Sequence, residues 1–125
     1  MGKTILYIED DKVIAKVIGS HLSKQGHNVY IAGDGDSGIK MAEKHSPSLI
    51  FLDVILPGRD GYHICSEIKK NSKIQQCPIV MLTSQDKMEN VWSGMDSGAI
   101  DYIFKAQPMA ELLARIDKMI LDYAR

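Results

Sequence analysis

The stretch from Leu49 to Gly58 restricts the fold of this chain more than any other. It opens with Leu49, Ile50, Phe51 and Leu52, bounded by Pro47 and Ser48 before it and by Pro57 and Gly58 after it. A run so short and so apolar, closed off by turn residues, reads as a parallel strand buried on both faces. Asp53 follows directly. Burying a lone carboxylate inside such a strand would be very unfavourable, so Asp53 belongs at the strand's C-terminal mouth, where open α/β sheets hold their ligands.

Four other apolar runs share this character: Thr4 to Ile8, Asn28 to Ala32, Ile79 to Leu82 and Ile100 to Phe104. Between them lie helical spacings. Val13, Ile14, Val17, Ile18 and Leu22 form one stripe, and Leu112, Leu113, Ile116 and Ile120 form another. Gly38, Ile39 and Ala42, then Ile64, Cys65 and Ile68, then Met88, Val91, Trp92 and Met95, mark three fainter helices. The helical spacing of Trp92 with Met88 and Met95 favours core packing. Gly26 and Gly98 close helices, Asp11 and either Asp34 or Asp36 cap them, and Pro108 fits a first helical turn. Five strands alternating with five helices require right-handed crossovers and a sheet covered on both sides. The expected fold is a five-stranded doubly wound parallel sheet, order 2-1-3-4-5, in a flavodoxin-like three-layer α/β/α arrangement. No repeat, low-complexity tract or composition shift marks a linker, so residues 1–125 read as a single domain.

Charge narrows the class of partner. Sixteen acidic and fifteen basic side chains give a net charge of -1, without the basic excess that direct nucleic-acid or anionic-membrane binding requires. Cys65 and Cys77 lack metal-ligand spacing, and no signal peptide or membrane span is evident, so a cytoplasmic location with free thiols is expected.

The polar residues at the strand ends carry the chemistry. Glu9, Asp10 and Asp11 follow the first strand, Asp53 the third, Thr83 and Ser84 the fourth, and Lys105 the fifth. All share one rim of the sheet. Two carboxylates about 5 Å apart at an effective dielectric of about 20 repel by roughly 3 kcal/mol, so Glu9, Asp10 and Asp53 share a crevice only with bound protons or a cation. Magnesium suits them, since it takes oxygen ligands, keeps waters and accepts one or two protein carboxylates plus phosphate oxygens. Taken alone, the acidic triplet would be a helix start, Asp53 a turn residue, Thr83 a capping hydroxyl and Lys105 a solvated cation. Their coincidence at four strand ends argues for a site. There Asp53 is a candidate metal ligand, nucleophile or both.

The segments Ile5–Asp11, Leu49–Gly58, Ile79–Ser84 and Gly98–Lys105 together resemble the CheY-like receiver domain of two-component response regulators, over essentially the whole chain. Val91–Ala99 is also similar to single-domain chemotaxis and twitching-motility receivers. The resemblance implies that Asp53 accepts a phosphoryl group from a histidine kinase or phosphotransfer protein. It implies Mg2+ held by Glu9, Asp10, Asp53 and the Ile55 backbone carbonyl. Thr83 then hydrogen-bonds the phosphoryl group, Lys105 pairs with it, and Tyr102 reorients as Thr83 moves. Such a domain is no general enzyme; it promotes only its own phosphorylation and dephosphorylation. A hydrogen bond to a charged group contributes about 1.5 to 3 kcal/mol, so two or three suffice for the roughly 5.5 kcal/mol that inverts a two-state equilibrium. The expected readout is the face of the fourth helix, fifth strand and fifth helix, in a monomer or weak dimer. With the chain stopping at Arg125, output by contact with a target protein is expected.

The chain departs from the family pattern at three places. Glu9 replaces the more usual Asp. Ala106 follows Lys105 where the family has proline in a cis peptide, and a cis bond before a non-proline residue costs about 2.5 to 4 kcal/mol, so a trans peptide is expected. Gln107 and Pro108 continue this altered loop into the last helix. Ile55 and Gln85 stand where the family tunes hydrolysis, and Ile55 offers no hydrogen bond to an attacking water, which implies a long-lived phosphoryl state. Other classes fit less well. A haloacid-dehalogenase-type phosphatase needs an acid two residues after its nucleophile, and that residue is Ile55. A flavin binder would meet an acidic first loop that repels phosphate. A degenerate receiver, binding partners without phosphorylation, would not need the intact acidic and hydroxyl positions.

Overall fold

In the computed structural model, which describes residues 2–84 and 95–124, the strands are β1 (Thr4–Ile8), β2 (Asn28–Ala32), β3 (Leu49–Leu52), β4 (Ile79–Thr83) and β5 (Asp101–Phe104). All pair in parallel in the order β2-β1-β3-β4-β5. Helices α1 (Lys12–Lys24), α2 (Gly35–His45) and α3 (Gly61–Lys70) and a C-terminal helix (Met109–Tyr123) supply the outer layers. Strand periodicity splits the core in two. Leu6, Ile8, Ile50, Leu52 and Met81 face α2 and α3 through Ala42, Ile64 and Ile68. Ile5, Tyr7, Phe51, Val80 and Leu82 face α1 and the C-terminal helix through Ile18, Leu22, Leu112 and Ile116.

The strands match the apolar runs to within a residue; full burial of β3 and β4 leaves the pattern little latitude there, and the half-exposed edge strands β2 and β5 still read as short apolar runs. The first helix differs in detail. Val13 and Val17 are exposed, at 76% and 40%, while Ala15, Ile18, Gly19 and Leu22 are buried. Small residues at positions 15 and 19 bring the helix close to the sheet, to the point that a Cβ on Gly19 would sit 2.9 Å from Ile31 Cδ1. Pro108 is the N-cap of the C-terminal helix, one position earlier than its sequence placement in the first turn. The helix read from Met88, Val91 and Trp92 lies outside the described residues, and Met95 is exposed rather than core.

Helix starts follow the carboxylates. Asp11 accepts from the N–H groups of Val13 and Ile14, Asp34 from Ser37 and Asp60 from His63. Of the two candidate caps for α2, Asp34 is the one used.

One close approach fixes the strand-end loop that carries Asp53. Gly61 opens α3, and its N–H donates to Val54 O at 2.6 Å. A Cβ there would meet Asp53 O at 2.2 Å and Val54 Cα at 2.7 Å. Since backbone cannot rotate away as a side chain can, Gly61→Ala is expected to lower the unfolding free energy by about 2 kcal/mol, in the range of overpacked sites. Urea denaturation measures this, and native stability in the variant would contradict the close packing.

Candidate functional site

The sheet's hydrogen-bond ladder runs one residue beyond the strands and ends on the site. Glu9 N–H donates to Ala32 O (2.9 Å), Asp53 N–H to Ile8 O (3.0 Å) and Lys105 N–H to Thr83 O (2.7 Å). Each of these side chains therefore hangs from a backbone held by the neighbouring strand.

Glu9 and Asp53 are almost wholly buried, at 2% and 5% exposure, and Asp10 beside them is exposed. Carboxylate oxygens of the three lie within 4.8 Å of one another, so one oxygen from each can face a common cation. The Lys105 ammonium bridges the two buried ones, bonding Glu9 Oε1 and lying 2.9 Å from Asp53 Oδ2. Asp53 Oδ1 accepts from the Ile55 N–H (3.2 Å). Glu9 accepts from the Tyr7 hydroxyl at Oε1 (2.8 Å) and from the Asp11 N–H at Oε2 (3.3 Å). Among the described residues, no buried side-chain nitrogen or oxygen lacks a partner.

These contacts shift the titrating groups in defined directions. Burial, then the shared hydrogen bond with Asp53, raise the Glu9 carboxyl above its ordinary value despite Lys105. Burial acts to lower the Lys105 ammonium, but its hydrogen bonds to Glu9 and Asp53 outweigh that and raise it. Tyr7, desolvated and facing Glu9, is raised well beyond the usual phenol range.

Thr83 is fully buried at the end of β4, and its side chain is hydrogen-bonded to Tyr102. The Tyr102 hydroxyl also lies 3.4 Å from that of Tyr62, and its ring packs against Phe104. Burial and the Tyr62 hydroxyl raise the Tyr102 phenol. Ile55 is half exposed beside Asp53, and Gln85 lies outside the described residues.

The Lys105–Ala106 peptide is trans, as its non-proline residue led us to expect, and Lys105 still reaches both carboxylates. Glu9, Asp10, Asp53, Thr83 and Lys105 thus gather on the rim where strand-end reasoning puts them, and Tyr102, named by the family resemblance, joins them through Thr83. Tyr7 and Tyr62 were not among them. Tyr7 has a sequence signal, because residues two apart on an extended chain share a face and Tyr7 stands two before Glu9. Tyr62 has none.

A 2-1-3-4-5 parallel sheet with carboxylates, threonine and lysine converging over its C-terminal edge defines the CheY-like class of flavodoxin-like domains. Within that class, the chain belongs to the response regulator receiver domain family of two-component signalling, which it matches over residues 5–117. It is similar to a putative response regulator from Chloroflexus aurantiacus, with 30% identity, TM-score 0.85 and coverage of 97% of this chain and 99% of the other. The BeF3-activated N-terminal receiver domain of Klebsiella pneumoniae RstA shows 36% identity, TM-score 0.81 and coverage of 92% and 96%. The Mn2+-bound form of response regulator Rcp1 shows 25% identity, TM-score 0.81 and coverage of 98% and 95%.

The raised Glu9 pKa fixes the sign of a stability effect. A carboxyl raised by folding favours the folded state while protonated. That contribution is complete below its unfolded value near 4.3 and is lost as pH climbs through the folded value. Metal-free Glu9→Gln is therefore expected to melt a few degrees above the native protein at pH 8, with the gap closing toward pH 4. Melting temperatures across that range test it, and a gap that widens in acid would reverse the assignment.

Proposed function

We propose that Asp53 is the phosphoacceptor of this receiver domain. The observation that carries the reading is a buried carboxylate contacted by a lysine ammonium at 2.9 Å, with two further carboxylates within 4.8 Å. Asp53 attacks the phosphorus of a phosphohistidine on a sensor kinase or phosphotransfer protein. An O–P bond forms, the P–N bond breaks and the imidazole leaves.

Glu9, Asp10, Asp53 and the Ile55 carbonyl are the proposed ligands of Mg2+, which when bound neutralises phosphoryl oxygens. The donor set is all oxygen and suits a hard cation. That Rcp1 has an Mn2+-bound form and that the RstA receiver domain is activated by BeF3, of roughly phosphoryl size and charge, supports the reading. Lys105 then exchanges a carboxylate partner for a phosphoryl oxygen, and Thr83 turns toward that oxygen. Tyr102, bonded to Thr83, follows.

The proposed output is by protein contact, on the face made by β5, the C-terminal helix and the segment between β4 and β5. Ile100, Phe104 and Met109 there are all more than a third exposed. A domain of this type works in the cytoplasm as a monomer or weak dimer. No described helix is long and apolar enough to cross a membrane.

Incubation with a small-molecule phosphodonor, followed by intact mass, tests the acceptor directly. A single Mg2+-dependent phosphoryl adduct is expected on the native protein and none on Asp53→Asn. An unmodified native protein, or an adduct that survives the substitution, would refute it. The half-exposed Ile55 side chain holds no water by hydrogen bonding, so Ile55→Asn is expected to shorten the adduct lifetime several-fold. Equal decay in native and variant would remove Ile55 from that role.

A further inference from the structure

The loop that delivers Lys105 is held by a bracket of side chains. Lys105 is the last residue on the ladder, its N–H bonded to Thr83 O at 2.7 Å. The chain then reverses, and Gln107 N–H donates to Lys105 O at 2.7 Å across Ala106, a three-residue turn. Ala106 fixes no dihedral by itself, as a proline ring would. The Gln107 side chain supplies the restraint from both of its ends. Its Nε2 donates to Phe104 O at 2.6 Å, back onto β5, and its Oε1 accepts from Arg115 Nε at 3.1 Å. Arg115 stands on the C-terminal helix next to Ile116, which is fully buried in the core. The turn is thus tied on one side to the sheet and on the other to a helix anchored in the interior.

From this geometry we propose that Gln107 and Arg115 are positioning residues for Lys105, setting the backbone from which its ammonium reaches Glu9 and Asp53. Lysine is a long, flexible side chain whose tip is placed only as well as its Cα. A reacting geometry off by about 1 Å can slow a reaction by up to about a hundredfold. The consequence for phosphoryl transfer rests on Asp53 being the acceptor; the consequence for Lys105 placement does not.

Two measurements separate these. In the metal-free native protein, NMR of lysine ammonium groups is expected to show one slowly exchanging signal that Lys105→Ala abolishes. Gln107→Ala is expected to broaden it away, and Gln107→Glu, which cannot donate to Phe104 O, to do the same. Both variants should keep the native melting temperature within about 3 °C, as surface substitutions generally do. With a small-molecule phosphodonor and saturating Mg2+, Gln107→Ala is expected to slow adduct formation about five- to twentyfold. In a Lys105→Ala background it should change the rate less than twofold, the non-additivity of residues acting through one another. Arg115→Gln, which leaves the turn itself intact, should give a smaller slowing of about threefold.

A Lys105 signal absent from the native protein or unchanged in Gln107→Ala would overturn the proposal. So would equal slowing by Gln107→Ala with and without Lys105. If the native protein takes no phosphoryl group, the acceptor assignment fails, and the ammonium spectra alone decide the bracket.

Discussion

Burying Glu9 and Asp53 side by side is possible because the Lys105 ammonium lies between them. Two carboxylates brought out of water repel each other and lose hydration, and a cation seated against both offsets the two penalties together. The arrangement leaves the site with one negative charge in excess at its dry centre and the exposed Asp10 at its edge. Burial first, and the carboxylate neighbour Asp53 second, keep the Glu9 carboxyl raised even with the ammonium in place. The site is electrostatically unfinished by design of its residues.

The sheet turns this local balance into fixed geometry. Glu9, Asp53 and Lys105 come from three different strands, yet each is bonded through its own backbone to the strand next door. Their separations are set by strand spacing and register. A slip of one residue in any pairing would turn its side chain to the opposite face. Gly61 adds a second constraint from above, because α3 begins in contact with the Asp53 carbonyl.

Much of this was legible in the sequence because the central strands β3 and β4, buried on both faces, are almost unbroken apolar runs, and the edge strands β2 and β5 are short apolar runs of the same kind. The end of each run locates a rim residue. Asp53 after Leu52 and Lys105 after Phe104 needed no further information. The face of α1 was less legible. Ala15 and Gly19 bury the helix by being small, and a hydrophobic pattern cannot register that, whereas the exposed Val13 and Val17 look like core. The contacts around the rim were the least legible. The hydroxyl pair of Tyr62 and Tyr102 joins residues 40 positions apart, and the Gln107 bracket depends on side-chain rotamers that no spacing rule encodes.

The two tyrosines that contact the site's residues lie on opposite faces of the sheet and have unequal room to move. Tyr7, against Glu9, is wholly enclosed between the sheet, α1 and the C-terminal helix. Tyr102, bonded to Thr83, is only partly buried, on the α2 and α3 side. Close-packed interiors yield little, so the Tyr7 ring has less room to turn than the Tyr102 ring. The site thus has one rigid aromatic neighbour and one with room to adjust, so a change in charge at the strand ends is more easily accommodated around Tyr102 than around Tyr7.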